Sequence, residues 1–178
     1  MTELYLPLRK KKKMNDENYE SRRSKEIVID TGPLLILLSG LYGHGVEKFA
    51  KEKNDFNVLK KWTDNSNIFV TPQVLAEVSN LAKREFRGFF EDFINYSTNT
   101  IMILDEIYVE KNILATKPEL KLAKFGFTDS SLIGAAMNGK MLLTTDISLY
   151  HYCMNIGIAA MTIDAIKYFY FGVPTKGR

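Results

Sequence analysis

The chain has a single cysteine, Cys153, among 178 residues. That excludes an intramolecular disulfide and any zinc site built on paired cysteines. Histidine is equally scarce, with only His44 and His151, and neither is spaced to select zinc. Long apolar runs are missing: the densest, Leu34 to Leu38, falls far short of the roughly 20 residues that span a bilayer. No GxxxxGK[ST] stretch is present, so a phosphate-binding loop of the P-loop kind is not supported. There is no internal repeat, and no low-complexity segment beyond one lysine run, Lys10 to Lys13.

What is present suits one globular domain. Hydrophobic residues make up 46% and charged residues 25%, an ordinary soluble composition, and the length holds one sizeable core but not two. The net charge of +3 is unevenly placed. Residues 1–26 carry eight Lys/Arg against five Asp/Glu, and the other 152 carry sixteen of each sign. Residues 1–25 are therefore read as a flexible basic extension, with added phosphate contacts as the alternative role, and 26–178 as the folded domain. No apolar stretch follows Arg9–Lys13, so a soluble cytoplasmic protein without a secretory signal or membrane span is expected.

Along the domain, strand and helix patterns alternate. Ile27-Val28-Ile29 reads as a buried β-branched strand. Thr31-Gly32-Pro33 then opens a helix, proline suiting its first turn, and glycines 40, 43 and 45 end it. Residues 46–64 read as broken helix. Ile68-Phe69-Val70 is a second strand, and Thr71-Pro72 caps a helix from Gln73 to about Lys83. A helix over 88–97, a strand over 101–104 and mostly helix over 105–124 are expected next. Thr128-Asp129-Ser130-Ser131 opens a helix to Met137, Met141-Leu142-Leu143 is a strand, 147–155 a helix and 158–163 a last strand. This alternation predicts an α/β fold: a three-layer α/β/α sandwich around a central parallel sheet.

Four acids sit where surface carboxylates are not expected. Asp30 ends the first strand and Asp146 lies just past Met141–Leu143, both at the carboxyl ends of strands, where open parallel sheets bind ligands. Glu77 falls within the apolar stripe of Val74, Val78 and Leu81, and Asp129 shares a face with Leu132, Ile133 and Ala136. Charges turned toward a core persist when paired, hydrogen-bonded or metal-bound. Few Lys or Arg stand beside them in sequence, so hard oxygen ligands for Mg²⁺ or Mn²⁺ are the predicted use. Each also has a structural reading: Asp30 and Asp129 as helix caps, Glu77 in a buried ion pair, Asp146 in a turn.

Ile27-Val28-Ile29-Asp30-Thr31, Thr71-Pro72 through Glu77-Val78, Thr128-Asp129-Ser130-Ser131 and Leu143-Thr144-Thr145-Asp146 together resemble the four motifs of PIN domains, in order over residues 27–163. The resemblance implies a metal-dependent endoribonuclease, with Asp30, Glu77, Asp129 and Asp146 as the catalytic and metal-holding residues and Mg²⁺ or Mn²⁺ as cofactor. It makes Thr31, Thr145 and Ser148 substrate-side residues. Ser148 also stands where many relatives carry a further acid, a departure that bears on metal affinity. As in VapC-type toxins, RNA, an antitoxin protein and a second copy of the chain are the implied partners.

Rival chemistries fit less well. A receiver domain needs adjacent acids after its first strand, and a haloacid-dehalogenase-type phosphatase needs a second Asp where Gly32 stands. The other reading retained is an inactive module of the same fold that binds RNA or protein. His44 and His151 lie outside the motifs. Cys153 reads as a buried apolar residue, Phe89, Phe90 and Phe93 as core or dimer contact, and Tyr168–Phe171 as an aromatic block packing on the last strand or forming a partner surface.

Overall fold

The computed structural model describes residues 25–172. The stretch 1–24 of the basic extension lies outside them. Lys25 does not behave as linker: its carbonyl accepts from Asn67 N at 2.8 Å, and its ammonium sits 4.5 Å from the Trp62 ring centre and 4.7 Å from that of Tyr170.

Five strands make one sheet in the order β3-β2-β1-β4-β5, every pairing parallel. They are β1 (Glu26–Ile29), β2 (Asn67–Val70), β3 (Asp105–Glu106), β4 (Met141–Leu143) and β5 (Ala160–Met161). Among the described residues eight α-helices connect and cover them: α1 (Thr31–Tyr42), α2 (Asp55–Thr63), α3 (Pro72–Glu85), α4 (Phe90–Ile101), α5 (Lys111–Thr116), α6 (Leu122–Ala136), α7 (Ile147–Asn155) and α8 (Ile163–Phe171). The architecture is a three-layer α/β/α sandwich. Ile27, Val28 and Ile29 are fully buried, as strands covered on both faces require. No helix among the described residues is long and apolar enough to cross a membrane.

Chain order reverses between β1 and β4. From β1 the chain moves outward to β2 and β3, then returns to place β4 on the other side of β1. The crevice outside the carboxyl ends of β1 and β4 is thus the switch point where such sheets bind ligands.

Several expected boundaries move. Ile101 closes α4, and the third strand is Asp105–Glu106 instead of 101–104. Two acids form a strand there because their backbone pairs with Phe69 and Val70, support that propensity does not register. Within 105–124, helix is confined to Lys111–Thr116, a 3-10 turn at Pro118–Leu120 and the start of α6. The last strand shrinks to Ala160–Met161, because Thr162 takes the N-cap of α8, its hydroxyl accepting from Ala165 N at 3.1 Å. Gly40 lies inside α1, where the Phe56 ring occupies the space a Cβ would need, and Gly43 caps the helix at φ 85°.

Candidate active site: four carboxylates at the carboxyl end of the sheet

Asp30 follows β1 directly and caps α1. Its Oδ1 accepts from Thr31 N at 2.6 Å and its Oδ2 from the Thr144 hydroxyl at 2.6 Å. The β1–β4 register pairs Ile29 with Leu143, so continuing it by one residue sets Thr144 opposite Asp30. Thr144 is fully buried, and its oxygen also accepts from Asp146 N at 2.9 Å. One hydroxyl thus orients the first carboxylate and the backbone of the last. Asp146 caps α7, its Oδ1 accepting from Leu149 N at 2.9 Å, and the residue is exposed. The capping reading is therefore correct for Asp30, while Asp146, read from sequence as a turn residue, caps α7 instead; lone pairs stay free on both.

Glu77 lies on the second turn of α3 and is half-buried. The buried Thr31 hydroxyl donates to its Oε2 at 3.1 Å, so α1 holds the α3 acid toward the sheet. Asp129 is on α6 but does not cap it. That helix begins at Leu122 and breaks at Gly126, whose φ of 76° and ψ of −175° suit only glycine. The break re-aims the second half of α6, carrying Asp129 in its first turns. The two acid-bearing helices are then tied together: the Thr71 and Ser131 oxygens are 2.9 Å apart. Ser131 gives its proton to Thr128 O at 2.6 Å, so the Thr71 hydroxyl is the donor to Ser131.

The four acids lie near enough to raise one another's hold on protons. Burial pushes the Asp30 carboxyl up to about 6, against the Thr144 and Thr31 hydrogen bonds that lower it, with the Glu77 and Asp146 charges adding to the rise. Burial also pushes Asp129 up to about 7, followed by the charges of Asp30, Asp146 and Glu77. None of the four is paired with a Lys, Arg or His among the described residues, so an ion-pair reading of Glu77 finds no partner there. Like charges gathered without a cation cost stability until a proton or a metal neutralises them.

The donor set is all hard oxygen, which fits Mg²⁺ or Mn²⁺ by chemistry. It is not drawn tight: among the described residues no three Asp, Glu, His or Cys side chains are grouped closely enough to enclose a cation.

Of the three substrate-side residues, Thr31 is committed to Glu77. Thr145 is half-buried beside Gly32, where its hydroxyl fills the place of a Cβ. Ser148 is exposed on the first turn of α7. Thr144 and the Thr71–Ser131 pair were not singled out from sequence, since their roles depend on strand register and helix packing. His151 is exposed, and His44 rests against the Tyr42 ring, 5.8 Å between centres. Cys153 is buried, and burial followed by the Asp129 charge pushes its thiol up to about 11, which makes it inert. Phe93 is buried while Phe89 is exposed.

No protein-family model matches the chain, and no curated protein sequence does. Among solved structures it is similar to the crystal structure of PAE2754 from Pyrobaculum aerophilum, with a TM-score of 0.53 and 14% identity over 78% of this chain and 90% of that one; at that identity the likeness is one of fold.

Proposed function

We propose that the chain is a divalent-metal-dependent endoribonuclease of the PIN-domain kind, hydrolysing RNA phosphodiester bonds at Asp30, Glu77, Asp129 and Asp146. The observation that supports this reading is a set of four carboxylates from separate elements, with Asp30 and Asp146 at the switch-point crevice and Glu77 and Asp129 near enough to feel their charge, none of them paired with a basic side chain among the described residues. A nuclease must bring a polyanion to such a place, and only a cation between acids and phosphate makes that favourable.

The four acids would hold Mg²⁺ or Mn²⁺, which when bound supplies a water of lowered pKa and neutralises charge on the phosphate. Thr144 keeps Asp30 oriented and fixes the Asp146 backbone. Thr31 holds Glu77. Asp129 has no hydrogen-bond partner among the described residues and is free to turn inward as the set closes.

By the same resemblance, a toxin role, an antitoxin covering the crevice and a homodimer belong to this proposal. A second reading, an RNA- or protein-binding module that does not cut, is favoured by the open spacing of the acids and by Ser148 in place of a further acid. Labelled single-stranded and structured RNAs, incubated with Mg²⁺, Mn²⁺ or EDTA, separate the two. Cutting that needs metal and vanishes in Asp30→Asn and Asp129→Asn supports the nuclease. RNA bound but uncut under every condition supports the module, and cutting that survives both substitutions refutes the site.

A further inference from the structure

A second cavity, of about 210 Å³, opens beside Asp146 on the β4–β5 side of the crevice. Both chain neighbours of Asp146, Thr145 and Ile147, line it. Whatever occupies this cavity therefore adjoins the acidic site. The volume is below the roughly 300–1,000 Å³ of sites for drug-sized ligands, and suits a single planar ring system.

Its walls are of two kinds. Ile36, Phe49, Ile147 and Ile163 supply apolar faces, and Lys51 and Asp164 supply one donor and one acceptor. Beneath them, Lys167 is buried and ion-paired with the equally buried Asp55, whose Oδ2 also accepts from Lys51 N at 2.8 Å and Glu52 N at 2.9 Å. Lys167 reaches Glu52 at 2.9 Å and Asp164 at 4.0 Å as well. Lys51 and Lys167 thus face three carboxylates, so the cavity has no positive excess to hold a phosphate and suits an uncharged occupant. Lys51 Nζ and Asp164 Oδ2 stand 3.5 Å apart, with half-exposed side chains. That is longer than a good charge-assisted hydrogen bond, so each retains capacity for a ligand.

Resting on the nuclease reading, we infer that this cavity receives one unpaired nucleobase of the RNA strand whose phosphate lies at the carboxylates, and that it prefers guanine or cytosine. Asp164 accepts from the amino group and Lys51 donates to the ring carbonyl, an edge that guanine and cytosine have. Adenine lacks the carbonyl and uracil the amino group. Phe49 and Ile147 cover the ring faces.

The test does not depend on cleavage. The full chain, methyl-labelled at isoleucine, is titrated in EDTA with GMP, CMP, AMP and UMP while the Ile36, Ile147 and Ile163 methyl resonances are followed. GMP and CMP are expected to shift these methyls saturably, at least roughly tenfold more tightly than AMP and UMP. Asp164→Ala and Lys51→Ala, both at half-exposed positions, should level the four nucleotides without altering the rest of the spectrum. With Ca²⁺ in place of EDTA to offset the carboxylates, a tetranucleotide holding one guanine and joined by phosphorothioate linkages should bind more tightly than GMP if the source is a strand; equal affinity would make the site one for free nucleotides and overturn the strand assignment. Methyls unmoved by every nucleotide would overturn the pocket even in a chain that cuts RNA. Base-selective binding in a chain that cuts nothing would instead overturn the nuclease and leave the pocket standing.

Discussion

Asp129 and Asp30 tie the site to a measurable pH dependence. Both carboxyls hold their protons more tightly folded than unfolded, at about 7 and about 6 against an ordinary 3.8. The folded state therefore binds more protons across that interval, and by linkage stability falls as pH rises from about 4 to about 7, then levels off. In EDTA, melts of the wild type should show this decline, set against whatever other groups contribute. Asp129→Asn should flatten it and melt higher than wild type above neutrality, because it removes one charge and relieves another. A variant that melts lower at every pH would mean the four acids are not mutually repulsive. Thr144 makes a second case. Thr144→Val strands Asp30 Oδ2 and the Asp146 N–H, at a cost of about 1–3 kcal/mol for unsatisfied buried groups, whereas Thr144→Ser should stay near wild type in urea unfolding. This residue was hard to read from sequence. Thr144 and Thr145 look alike there, and only the β1–β4 register sets the first against Asp30 and turns the second toward Gly32 and the neighbouring cavity.

At the scale of elements, the parts that sequence displayed are those whose stability is local. β1 carries three buried apolar residues and β2 the run Ile68-Phe69-Val70, Pro33 and Pro72 sit in first turns, and Thr71 caps α3 with its hydroxyl. The parts it hid depend on partners elsewhere. β3 consists of two acids held by the edge of β2. The start of α6 was hidden by Gly126, whose break makes Thr128–Ser131 look like a helix opening when six residues of helix and turn precede it. Asp129 owes its direction to that break. Gly126→Ala should cost about 1–3 kcal/mol, since an alanine cannot rest at this φ and ψ. It should also reduce RNA cleavage more than a stability loss alone explains, which compares with activity measured well below the melting point. Full activity in a destabilised variant would show that the break does not position Asp129. Lys167 performs a similar task for α8. Burial alone would lower its pKa, but hydrogen bonds from Lys167 to Asp55 and Glu52 overcome that and hold it above the ordinary lysine value. Lys167→Met would leave the buried Asp55 of α2 without its ion-pair partner, and should cost about 3–5 kcal/mol. Native-state hydrogen exchange should then show α8 opening before the sheet.

For the whole molecule, the architecture explains why chemistry collects in one place. All five strands point their carboxyl ends the same way, so each loop that leaves the sheet delivers its first residues to the same edge. Asp30 and Asp146 arrive from the two strands at the chain reversal, Glu77 and Asp129 from α3 and α6, and the cavity beside Asp146 from the residues that follow β4 and β5 together with α1 and the stretch 49–55. Glu77 and Asp129 were readable because a carboxylate within an apolar stripe stands out in any order of elements, and Asp30 and Asp146 because each follows a short apolar strand. Their spacing was not, because it depends on side-chain rotation about a centre that repels itself. The decisive quantity is accordingly whether a divalent ion draws them together. Mn²⁺ titration of the full chain, followed by the loss of free-ion electron paramagnetic resonance signal at neutral pH, measures that directly. A saturable site that Mg²⁺ displaces, and that weakens in Asp30→Asn and again in Asp129→Asn, is the expected result. Binding unchanged by both substitutions, or no binding at all, would contradict it.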